Sequence, residues 1–148
     1  MPTKSEAGSV VGFDLGGTKS AVARYRIDTW ECEAQQRLPT HAERGFAHVL
    51  EEACTLIETM RTPQTQSVGF GVPGLVEQRT GTLLRAPNIP GSERFPLKRT
   101  LEERVHLPVL VDNDANCFAL AEAQKGAGRG ARVVIGVTLG TGVGGGIA

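Results

Sequence analysis

Cysteine is scarce in this sequence, and its acidic and basic residues balance. Cys32, Cys54 and Cys117 are odd in number and far apart, so they match neither a zinc site nor a disulfide framework. Reduced thiols of this kind are typical of a cytoplasmic protein. Sixteen basic and sixteen acidic residues give a formal net charge of zero, so composition does not predict a nucleic-acid-binding surface.

A long apolar segment is also missing. The residues before the first apolar run are small or polar, and Asp14 interrupts that run. The sequence therefore predicts neither a secretory signal nor a membrane span. A chain of 148 residues is large enough for one domain with a sizeable core. Its 19 glycines are clustered, which indicates specific loops rather than disorder.

Apolar periodicity predicts an α/β chain in which strands alternate with helices. Gly16-Gly17-Thr18 joins the first two strands as a hairpin, and another small hairpin surrounds Thr80-Gly81. The remaining glycines and prolines separate the other segments. The larger strands are expected at 10–15, 19–27, 31–38, 67–72, 109–111 and 133–139. The helices are expected at 44–60, from Phe95-Pro96 through Val105, and at 115–125.

The stretch from Asp112 to Asp114 joins a short buried strand to a helix. Asp114 lies at the carboxyl end of that strand, where open α/β sheets usually place their ligand sites. The helix N-terminus favours an ionised carboxylate there. This pattern predicts a functional carboxylate at Asp114. The alternative is that Asp112, Asn113 and Asp114 only cap the helix.

The first hairpin carries the segment Asp14-Leu15-Gly16-Gly17-Thr18-Lys19. Adjacent glycines let backbone N–H groups approach a phosphate, and Thr18 and Lys19 add a hydroxyl and a positive charge. Asp14 could hold Mg²⁺ through water. A Walker loop has a different order of glycine, lysine and helix. The alternative is an ordinary Gly-Gly turn, although a charge inside an apolar strand requires a reason.

Three further loops give weaker signals. The pattern GxGxxG occurs at 69–74, where a plain turn is the better interpretation, and again at 140–145. The second copy follows a strand and favours approach of the backbone to a phosphate, with an interdomain hinge as the alternative. Asn88 lies between Pro87 and Pro90 and could present its amide to a sugar hydroxyl, although such turns are usually structural.

Together these motifs resemble the ROK family of sugar kinases and sugar-responsive repressors. The resemblance rests on segments 14–19, 71–74, 86–88, 112–116 and 139–146, which follow in order along the chain. It implies an α/β, ribonuclease-H-like lobe of the actin-like ATPase fold, with a mixed sheet and helices on both faces. Residues 1–128 would form this N-terminal lobe. Residues 129–148 would begin a second lobe that is otherwise absent.

The resemblance also implies an ATP- and Mg²⁺-dependent sugar kinase with its ligands between two lobes. Asp114 would be the catalytic base toward a sugar hydroxyl, and Gly74, Asn88 and Asn113 would contact the sugar together with it. The residues expected at ATP are Asp14, Gly16, Gly17, Thr18, Lys19, Thr141 and Gly142. Segment 116–122 is most similar to bacterial N-acetylglucosamine and fructose kinases, with glucokinases close behind.

Family members are much longer than this chain. The absent part resembles a region that carries further sugar ligands and a Cys/His zinc site, and no zinc cluster exists in this sequence. We therefore expect the chain alone to be a poor catalyst or none, and the full-length form to be a homodimer. Loss of a returning final helix would expose an apolar patch, and an unpaired strand at 133–139 would favour aggregation or dimerisation.

Two other functions remain open at this stage. A sugar-sensing transcriptional regulator of the same family would carry a helix-turn-helix ahead of the lobe, whereas only a short segment precedes the first strand here. A non-catalytic sugar-binding protein would retain Asn88 but would have no need for both Lys19 and Asp114.

Overall fold

The computed structural model of the protein describes residues 7–139 and 142–148. The strands in these ranges are β1 (Ser9–Leu15), β2 (Lys19–Arg26), β3 (Cys32–Pro39), β4 (Thr65–Val72), β5 (Leu75–Glu77), β6 (Thr82–Arg85), β7 (Val109–Asn113), β8 (Ile135–Leu139) and β9 (Val143–Ile147). The helices are α1 (Phe46–Met60), α2 (Leu97–Val105) and α3 (Asp114–Lys125), and a short 3₁₀ turn covers Ala42–Arg44. None of the described helices is both long enough and apolar enough to cross a membrane.

A five-stranded sheet in the order β3-β2-β1-β4-β7 is the frame of the structure. Strands β1, β2 and β3 pair antiparallel, whereas β4 pairs parallel with both β1 and β7. The predicted mixed sheet is therefore confirmed. The β5–β6 and β8–β9 hairpins form two separate small sheets.

The hydrophobic core lies between this sheet and the helices α1 and α2. Every second residue of the central strands points into it, and the rings of Phe13 and Phe70 stack there with centroids 4.9 Å apart. Helix α1 buries an apolar stripe at helical spacing, as predicted. It begins at Phe46 rather than Arg44, because Gly45 has a φ of 86° that an α-helix cannot contain.

The opposite face of the sheet, which we call the open face, carries small residues. Atoms added as Cβ at Gly12 and Gly69 would meet nothing within 4 Å, and Leu110 is 74% exposed. Helix α3 contacts this face beside Gly71, so helices lie on both faces of the sheet, as predicted.

The prediction that the strand at 133–139 is unpaired is wrong. Strand β8 pairs antiparallel with β9, from Ile135 opposite Ile147 to Leu139 opposite Val143. The glycines at 144–146 therefore belong to a strand rather than to a loop or hinge. One face of this hairpin still exposes its apolar side chains, since Ile135, Val137, Leu139, Val143 and Ile147 are each more than half exposed.

Glycine allows the β8–β9 hairpin to lie directly against α3. A Cβ atom at Gly146 would lie 2.6 Å from the carbonyl carbon of Ala115 and 2.8 Å from the Cα of Asn116. A Cβ atom at Gly136 would lie 3.0 Å from the Cβ of Ala119. Side chains at these two positions would push the hairpin away from the helix.

Gly146→Ala should destabilise this packing, because its Cβ atom would press on the backbone of α3. We expect the free energy of unfolding in urea to fall by about 1–3 kcal/mol. Gly145→Ala is the matched control in the same strand, since its Cβ atom would meet only the carbonyl oxygen of Gly136, at 3.8 Å. Equal stability of the two variants would contradict the packing described here.

Candidate active site

The candidate site lies at the carboxyl ends of the parallel strands β1, β4 and β7. Asp14 is opposite Gly71 in the sheet, and Gly71 is opposite Asp112. Strand β7 then leads directly into α3, so Asp114 occupies the first turn of that helix beside the same row. This placement brings together two carboxylates, Asp14 and Asp114, that are 100 residues apart in the sequence.

Gly71 is the point at which Asp14 and Asp114 meet. A Cβ atom there would lie 3.6 Å from the Cα of Asp114 and 3.7 Å from Oδ1 of Asp14. The pKa of Asp14 is raised, first by partial burial of its carboxyl group and then by the negative charge of Asp114. The positive charge of Arg37 lowers the same pKa. The site therefore concentrates negative charge in a small space.

The capping interpretation of segment 112–114 applies chiefly to Asn113. Its Oδ1 accepts from the backbone N–H groups of Ala115, at 2.9 Å, and Asn116, at 3.2 Å. Its Nδ2 donates to the carbonyl of Gly74 at 2.8 Å, and the other N–H of the amide has no partner among the described residues. Asp112 supports the cap, because its Oδ1 accepts from Nδ2 of Asn116 at 3.0 Å.

Asp114 is only partly engaged by the helix. Its Oδ1 accepts from the backbone N–H of Ala115 at 2.9 Å, and Oδ2 has no hydrogen-bond donor among the described residues. The residue is half-buried. One carboxylate oxygen is therefore fixed while the other remains open to a ligand.

Gly74 marks the turn from β4 into the β5–β6 hairpin. Its φ of 113° is one that side-chain-bearing residues rarely adopt, and a Cβ atom there would collide with the carbonyl of Arg85. Since Asn113 holds its carbonyl, Gly74 ties this turn to the start of α3. The structure thus places Gly74 and Asn113 together.

The hairpin at 16–19 lies against the Asn88 loop. A Cβ atom at Gly17 would lie 3.7 Å from both Cβ and Nδ2 of Asn88. The loop is braced from inside by the buried Ser92, whose Oγ accepts from the N–H of Ala86 at 3.0 Å and donates to its carbonyl at 3.2 Å. The exposed Asn88 side chain is thereby presented beside the hairpin.

Thr40 anchors the hairpin, a role that the sequence did not predict. Its hydroxyl donates to the carbonyl of Gly16 at 2.7 Å, and its backbone N–H donates to the carbonyl of Thr18 at 2.9 Å. The hydroxyl of Ser20, 2.8 Å away, must then donate to Thr40. These partners are 20 or more residues away from Thr40 along the chain, so no local sequence pattern predicts that Thr40 anchors the hairpin.

Cys117 also belongs to the site, although the sequence suggested no role for it. A Cβ atom at Gly71 would lie 3.6 Å from its Sγ. Although Cys117 is exposed as a residue, partial burial of its thiol group raises the pKa to about 11, and the charges of Asp112, Asp14 and Asp114 add to the effect. Cys117 is therefore a neutral thiol at physiological pH.

The structure gives fewer contacts for the remaining predicted residues than for those above. Thr18 and Lys19 are exposed on the first hairpin, and Gly142 precedes β9. Thr141, the other residue predicted for the second phosphate segment, lies outside the described residues. Within residues 7–139 and 142–148, no group of three or more His, Cys, Asp or Glu residues could hold a metal ion.

Comparisons with known proteins agree with this architecture. The model of the ROK family matches residues 10–148. A glucokinase of Halalkalibacterium halodurans is 41% identical, over 93% of this chain and 43% of its own. An N-acetyl-D-glucosamine kinase of Salmonella newport is 41% identical, over 92% of this chain and 45% of its own. The chain thus spans less than half the length of these relatives.

A solved structure gives the same result in three dimensions. A ROK family glucokinase from Streptomyces griseus, in complex with glucose and AMPPNP, superposes with a TM-score of 0.82 at 36% identity. The superposition covers 95% of this chain and 44% of the glucokinase chain. The actin-like ATPase fold that the sequence predicted is confirmed.

Thr40→Val should loosen the hairpin, because the carbonyl of Gly16 and the hydroxyl of Ser20 would lose a buried partner. We expect a loss of about 1–3 kcal/mol in the free energy of unfolding in urea. Amide hydrogen exchange at residues 16–19 should also accelerate. Thr40→Ser keeps the hydroxyl and is the matched control. If Val and Ser are equivalent in both measurements, Thr40 is not the anchor.

Proposed function

The chain belongs to the ROK family, and we propose that it carries the phosphoryl-transfer residues of an ATP-dependent sugar kinase. The acceptor in this proposal is a hydroxyl group of a hexose or N-acetylhexosamine. The names of the two 41% identical relatives, a glucokinase and an N-acetyl-D-glucosamine kinase, support that class of substrate. One observation carries the proposal: Asp14 and Asp114 both lie beside Gly71, close enough for the charge of Asp114 to act on Asp14, and Asp14 leads into the hairpin that lies against Asn88.

Asp114 is proposed to act as the general base. The sugar hydroxyl oxygen forms a bond to the γ-phosphorus of ATP, the bond from that phosphorus to the leaving ADP oxygen breaks, and Asp114 accepts the hydroxyl proton. Phosphoryl transfer passes through a loose transition state, so positioning matters more than a strong base. A carboxylate with one oxygen fixed by the Ala115 N–H and the other open suits this task.

Asp14 is proposed to hold Mg²⁺ through water. The pKa of Asp14 is raised by partial burial of its carboxyl group and then by the charge of Asp114, and a bound cation would offset both effects. Since the described residues contain no complete protein ligand set, the remaining ligands would be water and phosphate oxygens, as Mg²⁺ prefers. When bound, Mg²⁺ neutralises charge on the phosphates.

The other contacts are assigned by position. Backbone N–H groups of Gly16 and Gly17, with Thr18 and Lys19, are proposed to bind phosphates. Asn88 and the remaining amide N–H of Asn113 are proposed to orient the sugar, at the turn that Gly74 forms. Thr141 and Gly142 are proposed as a second phosphate segment.

We also assign residues 1–128 to an N-terminal lobe and residues 129–148 to the beginning of a second lobe. The separate β8–β9 sheet supports this division, since it does not join the five-stranded sheet. Binding of nucleotide and sugar between two such lobes would exclude water from the transfer step.

Asp114→Asn should lower kcat by about 100-fold or more, because the amide cannot accept the proton. Sugar affinity, measured by isothermal titration calorimetry, should be largely retained, since the amide keeps the size and the Oδ1 acceptor of the carboxylate. Asp28→Asn is the control, because it removes one exposed carboxylate at the opposite end of the sheet. An Asp114→Asn enzyme with unchanged kcat would remove Asp114 from the mechanism.

The kinase assignment itself is tested by ADP release from Mg-ATP. The longest native product of the gene would be assayed with glucose, N-acetylglucosamine, N-acetylmannosamine and fructose singly, beside the 148-residue chain. We expect release with at least one sugar from the longest product, and little or none from the shorter chain. A folded protein that binds a sugar but releases no ADP with any of them would instead be a regulator or a non-catalytic sugar-binding protein.

A further inference from the structure

One row of residues crosses all five strands of the main sheet beside the candidate site. In register, Arg37 of β3 is opposite Ala21 of β2, Ala21 is opposite Asp14 of β1, and Asp14 is opposite Gly71. The row ends at Asp112 of β7. Since directly paired residues point to the same face of a sheet, these side chains share the open face.

The face on which Arg37 lies is fixed by its neighbour on β3. Leu38 lines a shallow groove against Thr55 and Leu56 of α1, so it points toward the core side. Successive residues of a strand alternate in direction, which places Arg37 on the open face. Lys19 precedes Ala21 by two residues and therefore shares that face.

At this end of the open face, the positively charged side chains lie on one side and the negatively charged side chains on the other. The cations Lys19 and Arg37 lie on β2 and β3, whereas the carboxylates of Asp14, Asp112 and Asp114 lie on β1, β7 and α3. Ala21 and Gly71, the residues on either side of Asp14 in the row, are both small. Such a division suits a ligand that is anionic at one end and bound through a metal ion or hydroxyl at the other.

Arg37 forms no ion pair with the residues that the structure describes. Within residues 7–139 and 142–148, no carboxylate lies within 4.0 Å of its guanidinium group, whereas Arg24, Arg26 and Arg61 each have such a partner. Its electrostatic attraction nevertheless reaches Asp14. The side chain is exposed and available to a ligand.

We propose that Arg37 contacts the terminal phosphate of the nucleotide and, with Lys19, forms the cationic side of the site. This inference rests on the proposed kinase function. A planar guanidinium group can bind two phosphate oxygens at once, which the ammonium group of Lys19 cannot do. The strand that carries Arg37 is tied to the phosphate hairpin through Thr40, whose N–H and hydroxyl bind the carbonyls of Thr18 and Gly16.

The test compares nucleotides that differ in the terminal phosphate. The full native chain and its Arg37→Gln variant would be titrated with Mg-AMPPNP and with Mg-ADP by isothermal titration calorimetry. We expect the variant to raise the Kd of Mg-AMPPNP by about tenfold or more, the loss typical of one charge-assisted contact. The Kd of Mg-ADP should change much less. Arg37→Lys keeps the positive charge but loses the planar guanidinium group that can bind two oxygens. Its Kd for Mg-AMPPNP should therefore lie between those of the unmodified protein and Arg37→Gln.

Arg99→Gln provides the matched control. It also removes one positive charge, from an exposed position on α2, on the other side of the sheet. It should leave both nucleotide affinities unchanged. Sugar affinity of Arg37→Gln should equal that of the unmodified protein, which shows that the variant is folded; should it fail to fold, the Arg37→Lys titration decides.

The outcomes separate this inference from the proposed function. If the unmodified protein phosphorylates a sugar but Arg37→Gln binds Mg-AMPPNP equally well, the role of Arg37 is overturned and the kinase assignment stands. An equal loss for Mg-AMPPNP and Mg-ADP would also overturn a contact with the terminal phosphate. If the unmodified protein neither binds Mg-AMPPNP nor phosphorylates any sugar, both proposals fail.

Discussion

The approach of two carboxylates across Gly71 is the constraint on which the rest of the site depends. Partial burial of the Asp14 carboxyl group, followed by the negative charge of Asp114, raises the pKa of Asp14. A side chain at position 71 would occupy the space in which they meet. A fold that places β1, β4 and α3 in this relation concentrates negative charge that a bound cation would neutralise.

Partly buried hydrogen bonds hold this arrangement in place. Asn113 joins the start of α3 to the turn at Gly74, and Thr40 joins the end of β3 to the hairpin at Gly16. Each contact links segments that are distant in the sequence, so the site rests on strands and helix ends rather than on isolated loops. That rigidity suits phosphoryl transfer, in which positioning supplies much of the catalysis.

Glycine serves two different purposes in this chain. At Gly16 and Gly17 it allows a tight hairpin beside Asn88, whereas at Gly136 and Gly146 it allows a strand to lie directly on a helix. The sequence indicated the first use and offered a phosphate loop or a hinge for the glycines at 140–145, of which the structure places those at 144 and 145 in β9. An absent side chain permits close approach without indicating whether a helix or a ligand approaches, so the sequence alone could not separate these uses.

The sequence by itself determined most of the elements and several of the site residues. Periodicity, capping residues and turn residues depend on neighbours a few positions away, so α1, the first hairpin and the strand leading to Asp114 could be predicted. Asp14 stood out because a charge in an apolar strand is costly. Only the tertiary structure decided that Asp14 and Asp114 come together at Gly71, that Thr40 anchors the hairpin and that Arg37 shares a face of the sheet with Asp14. Those contacts follow from the pairing of strands far apart in the chain, and that pairing depends on packing of the whole sheet rather than on local sequence.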